Sequence, residues 1–180
     1  MGAYLFFGWT IATLIIPPAA DIIGRRMLII LCMIGNTACL VAMLLVTTVT
    51  QMSVVLLMLG LAQAGSVSVN FIFTTEFLPK AQKVLFASVC LFCDNISLAL
   101  ASIYYLCISH NYRWFNIFAC FNSFLGLLGL IFIATESPLW LLQKGRIPEA
   151  LSNLQRMFTF NGNSVTQASL KRHLGIYNEN

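Results

Sequence analysis

The chain has 180 residues, of which 59% are hydrophobic and 9% charged, with a formal net charge of +4 and a mean hydropathy of +0.85. Soluble domains carry about a quarter charged residues, so the polar surface that a soluble fold of this length needs is missing, and disorder, whose signature is low hydrophobicity, is excluded with it. Basic clustering and basic–aromatic interleaving are both absent, which argues against a nucleic-acid partner. The class that remains is an all-α integral membrane protein whose first partner is the lipid bilayer.

Charged residues punctuate the chain. Residues 1–20 are uncharged and lack the basic start and small-residue cleavage site of a signal peptide, so they read as a retained span. Asp21, Arg25 and Arg26 follow. The next uncharged run, 27–75, would be about 73 Å long as one helix, against a hydrocarbon core of about 30 Å. It must fold back, and Thr47-Thr48-Val49-Thr50-Gln51 is its polar turn. Glu76, Lys80 and Lys83 end this hairpin. An apolar stretch broken only by Asp94 then runs to the hydrophilic connection His110-Asn111-Tyr112-Arg113. A last uncharged run, 114–135, stops at Glu136. Five spans are expected, at roughly 2–20, 27–47, 52–76, 84–108 and 114–135.

With five spans, Arg25, Arg26, Lys80, Lys83, Lys144, Arg146, Arg156, Lys171 and Arg172 share one side and Arg113 stands alone on the other. That bias places the C-terminal side in the cytoplasm and the N-terminus opposite. The chain divides into a bundle, 1–135, and a cytoplasmic helical tail, 136–180. In the tail, Pro148 starts a helix with an apolar stripe of Ala150, Leu151, Leu154, Met157 and Phe158. Asn161-Gly162-Asn163 breaks it, and Ser164, Gln167 and Gly175 frame a second short amphipathic helix.

Within the spans, Asp94 lies about 16 Å from Lys83 along the helix, close to the midplane. An ionised carboxylate there costs at least about 2.5–3.5 kcal/mol. It therefore reads as a cation contact, a protonatable coupling group or a structural carboxyl hydrogen-bonded to a neighbour. Gln63 and Asn70, seven apart on one face, line a polar cavity with Asp94 or else hydrogen-bond between helices. Gly60, Ala64 and Ser68 form a small-residue stripe for close packing, and Gly126 and Gly129 read likewise. The six cysteines all fall in apolar stretches, so neither a disulfide scaffold nor a metal site is expected; the Cys90-x-x-Cys93 pair reads as packing. His110 and His173 are isolated, and no nucleophile elbow or phosphate-cradling loop occurs, so neither an enzyme nor a cofactor is expected.

Three loops carry a family resemblance. Asp21, Gly24, Arg25 and Arg26 match the G-x-x-x-D-R-x-G-R-K/R loop between the second and third helices of major facilitator superfamily transporters, with Pro17 and Ile22 at two positions of the pattern. Glu76-Phe77-Leu78-Pro79 with Lys83 is similar to the E-x-x-P-x-x-x-R that follows the family's fourth helix. Glu136-Ser137-Pro138-Leu139-Trp140-Leu141-Leu142, then Gly145-Arg146 and Glu149-Ala150, resembles the P-E-S-P-R-W-L signature after the sixth helix, with Thr135 and Leu139 as replacements. This last signature points to the sugar-porter and organic-ion branches. Tyr112-Arg113-Trp114 and Thr75-Glu76-Phe77 lean toward the organic cation and anion transporters.

The resemblance implies that the five spans correspond to helices two to six of an N-terminal half. It implies alternating-access transport of a small organic solute, with Asp21, Arg25, Glu76, Glu136 and Arg146 as ion pairs of a cytoplasmic gate. A complete member has twelve helices, so the partners expected are the missing transporter helices or other membrane subunits. The alternative is a structural subunit that keeps a partial transporter fold without the transport cycle.

Overall fold

The computed structural model describes residues 2–108 and 111–160. The readings of His110, Asn161-Gly162-Asn163, Ser164, Gln167, Lys171, Arg172, His173 and Gly175 lie outside the described residues. All regular structure among the described residues is helical: α1 Gly2–Ile23, α2 Arg25–Leu45, α3 Val49–Phe77, α4 Lys80–Ile103, α5 Tyr112–Ile133, α6 Pro138–Gln143 and α7 Ile147–Phe160. A π-helical turn, Tyr104–Ile108, prolongs α4. Five helices, α1 to α5, are long and apolar enough to cross a membrane. The break between α2 and α3 falls where the polar turn was expected, and Thr48 caps α3 by accepting the Gln51 N–H at 3.4 Å.

One boundary differs in kind. The sequence reading closes the first span at residue 20 and opens a loop at Pro17, but α1 continues through Pro17 and Pro18 to Ile23. The two prolines remove the amide donors that would bond the carbonyls of Thr13 and Leu14. Helices in membrane proteins tolerate such gaps because neighbouring groups re-satisfy the freed carbonyls. The turn contracts to Gly24 alone, whose φ of +114° is one that L side chains rarely adopt.

Four helices form a packed row. α3 lies between α1 and α2, and α5 lies against the other side of α2. The α1–α3 seam is set by glycine: a Cβ on Gly8 would overlap the Leu57 carbonyl, and one on Gly60 the Leu5 carbonyl. Ala12 and Ala64 are buried in the same seam. The α2–α5 seam is polar. Asn36 Nδ2 donates to Ser123 Oγ at 3.1 Å, Thr37 Oγ1 and Ser123 Oγ are 2.8 Å apart, and Asn116 Nδ2 donates to the Leu40 carbonyl at 2.9 Å. Gly126 meets only the tip of Met33, at 3.3 Å, and a Cβ on Gly129 would meet nothing within 4 Å. The expectation of close helix packing is therefore corrected at Gly129, where the described residues leave open space, whereas Gly126 lies against a flexible side chain of α2.

The fifth long helix stands apart. α4 has no buried residue and makes little contact with the other long helices. Near one end Phe86 stacks on Phe71 of α3, with ring centroids 5.9 Å apart. At the other end Tyr104 and Tyr105 meet Phe115 of α5 at 5.5 and 5.8 Å.

Candidate functional site

The core of the row ends in Ala20, Leu28, Ile29, Val69 and Phe73, and directly beyond it the inter-helix junctions converge. Gly24 places Arg25 as the first residue of α2, one helical turn after Asp21 on α1, so their side chains meet at 3.1 Å. Glu76, in the last turn of α3, forms the second ion pair of Arg25. Arg25 is only 8% exposed, and the Glu76 side chain is as deeply covered, whereas the Asp21 side chain is 67% exposed. Arg25 Nε and Glu76 Oε2 have no hydrogen-bond partner among the described residues. A buried pair of this kind depends on its mutual attraction to offset desolvation.

Glu136 closes the cluster from the far end of the sequence. Its Oε1 accepts the Arg26 N–H at 3.0 Å, one of the donors that the start of α2 leaves free, and the Ser137 N–H at 3.4 Å. Arg26 reaches across to the Ile131 carbonyl of α5, 3.0 Å away. Ser137 is fully buried and caps α6 by accepting the Trp140 N–H at 3.3 Å, and Pro138 takes the first helical position. That start aims Trp140 back at the first junction, where Nε1 donates to the Asp21 carbonyl at 3.0 Å. A Cβ on Gly24 would meet Glu136 Oε2 at 3.4 Å and the Trp140 ring at 3.5 Å, ordinary contacts, so it is the φ of +114° that calls for glycine at this junction. Asn153 on α7 donates to the Glu136 carbonyl at 3.1 Å and ties the tail helix to the same point.

The structure therefore brings Asp21, Gly24, Arg25, Arg26, Glu76, Glu136, Ser137 and Pro138 together at one end of the bundle. It adds Trp140 and Asn153, to which the sequence reading gave no role. Trp140 stands at the tryptophan of the P-E-S-P-R-W-L signature, which was the available signal; nothing in the sequence distinguished Asn153. Pro79 separates α3 from α4 and is exposed, and Lys83 is exposed with no ion pair among the described residues. Arg146 makes a bidentate pair with Glu149, at 2.8 and 2.7 Å, and not with the cluster. Glu149 supplies the carboxylate fork one turn along, at the start of α7.

The polar residues within the long apolar helices are dispersed. Gln63 is half-buried and Asn70 exposed on α3, Asp94 is exposed on α4, and no hydrogen bond or ion pair of their side chains occurs among the described residues. No protein-family model matches the chain, and no curated protein does.

Proposed function

We propose that this chain is the helix-two-to-six portion of a major-facilitator-type N-terminal half, that it contributes to alternating-access transport of a small organic ion, and that the junction cluster is the cytoplasmic gate. The observation that carries the reading is the convergence at Arg25. One buried guanidinium pairs with the end of α1 and the end of α3, while Glu136 takes the neighbouring Arg26 amide. The three loops that resemble family motifs are 50 to 115 residues apart in the chain, and their charged groups meet at one end of the bundle. An incompletely satisfied buried pair suits a gate, since little further stabilisation is forfeited when it opens. The basic residues of this end support placing it on the cytoplasmic side in this reading.

The test is uptake into proteoliposomes of tetraethylammonium, para-aminohippurate and glucose, comparing the chain with a version extended by a first helix and a second six-helix half. Gradient-dependent uptake of one organic ion by the extended protein is expected, and its loss or leakage in Arg25→Gln. An extended protein that folds and moves none of the three sinks the reading.

The bare α4 favours a second reading, in which the chain is a non-transporting subunit whose α4 is covered by another membrane protein. Co-purification in mild detergent with an unrelated membrane subunit, together with absent uptake, would select it.

A further inference from the structure

At the charged end of the bundle, the second half of α7 crosses beneath the last turns of α3 and α5. The space between them is a groove of about 500 Å³, walled by Phe73, Phe77, Phe132, Met157 and Phe160, with one charged group on its lining, Arg156. On its other side Arg156 borders a second, shallower concavity of about 460 Å³ lined by Ser152, Gln155 and Thr159. Phe160, shared by both, is 89% exposed. One cation thus stands between an apolar trough and a hydroxyl- and amide-lined surface.

The charges of this end are unevenly spent. Asp21 and Glu76 are used by Arg25, Glu149 by Arg146, and Glu136 by the amides of Arg26 and Ser137. Lys80, Lys83 and Arg156 have no ion pair among the described residues, and Lys144 sits 5.9 Å from the centre of the Trp140 ring. The surplus is positive, and it lies at the level where the apolar helices end, which is the headgroup depth of a bilayer.

We infer that the α7 groove holds one anionic phospholipid, its phosphate on Arg156, its polar headgroup toward Ser152, Gln155 and Thr159, and an acyl chain along Phe73, Phe77 and Phe132. The inference rests on the five long helices crossing a bilayer; it does not require transport, and a failure of uptake leaves it standing. A zwitterionic lipid brings its own cation to Arg156 and gains less. A free phosphate leaves the aromatic wall uncovered.

The experiment is native mass spectrometry of the full chain in detergent with equimolar dioleoyl phosphatidylglycerol and phosphatidylcholine. One phosphatidylglycerol is expected to be retained about fivefold over phosphatidylcholine, the factor that about 1 kcal/mol per basic residue gives. Arg156→Gln, an exposed change whose folding is checked by circular dichroism, should abolish the preference, and Lys80→Gln with Lys83→Gln should leave it. Equal retention of the two lipids overturns the inference. So does a preference that survives Arg156→Gln, one lost only with the two lysines, or displacement of the lipid by millimolar inorganic phosphate. A benzoylphenylalanine at position 160, illuminated in 3:1 phosphatidylcholine–phosphatidylglycerol vesicles, should capture phosphatidylglycerol. Capture of a peptide from this chain, a second copy or another protein overturns it.

Discussion

At the scale of single residues, burial separates the two carboxylates that share Arg25. Asp21 is mostly in solvent, where an ion pair contributes about 0–1 kcal/mol, so Asp21→Asn should scarcely move stability. Glu76 is covered with Arg25, and removing its charge leaves a buried guanidinium with Asp21, a solvent-exposed carboxylate 3.1 Å away, as its one remaining ion-pair partner among the described residues. Glu76→Gln should therefore cost about 3–5 kcal/mol, the range for breaking a buried pair from one side. Replacing both partners, as in Arg25→Met with Glu76→Leu, should restore most of that loss, because the desolvation penalty disappears together with the attraction. Unfolding by sodium dodecyl sulfate titration of the three variants gives the comparison. Equal losses for Asp21→Asn and Glu76→Gln would refute the assignment of Glu76 as the partner that matters.

At the scale of helices, the glycines sort into two kinds. Gly60 lies against the backbone of α1, so Gly60→Val cannot be absorbed by turning a side chain and must push α1 from α3. A loss of about 1–3 kcal/mol or more is expected from overpacking. Gly129 has open space, so Gly129→Ala should stabilise by about 0.5–1 kcal/mol, the conformational freedom that alanine lacks in the unfolded chain. The same detergent titration reads both, and a destabilising Gly129→Ala would mean that something packs on that face of α5. The sequence treats these glycines alike. A small residue in an apolar span looks the same whether it meets a carbonyl or faces lipid, and only the tertiary partner separates the cases. The spans themselves were legible because ionisable groups are costly in hydrocarbon and so accumulate at span ends. The helical Pro17-Pro18 pair was not legible, since prolines mark a break in water and a tolerated defect in a membrane helix. Nor does any spacing rule join Arg25 to Glu76 or Trp140 to Asp21; those meetings depend on antiparallel helices bringing distant junctions to one end. Arg146 went to Glu149, because a partner one turn away is met at almost no cost in chain entropy.

At the scale of the whole molecule, a four-helix row carries the packing and α4 is attached to it by aromatic contacts near its two ends. Asp94 lies between those attachments. It is about 80° round the helix from Phe86, the residue that faces α3, and so borders the bundle-facing side without reaching a partner on it. With α4 read as a membrane span, a carboxylate near its middle opposes insertion by at least about 2.5–3.5 kcal/mol. Because Asp94 makes no hydrogen bond or ion pair among the described residues, the row does not recover that cost. Asp94→Leu should therefore improve insertion of α4 in a glycosylation-reporter assay by about the same 2.5–3.5 kcal/mol, and leave the unfolding of the four-helix row unchanged. A chain optimised for packing alone would carry leucine there. Under either proposed reading, compensation comes from outside the row, from a cationic solute, a proton or a basic residue on a covering subunit. Under the transport reading, Asp94→Asn in the extended protein keeps size and hydrogen bonding but should depress uptake of an organic cation. A raised Michaelis constant would mark direct contact, and a flattened pH profile would mark protonation. If Asp94→Leu instead destabilises the row, its carboxylate is held by a structural hydrogen bond. If Asp94→Asn transports normally at every pH, with equal amounts in the membrane, the carboxylate has no part in transport.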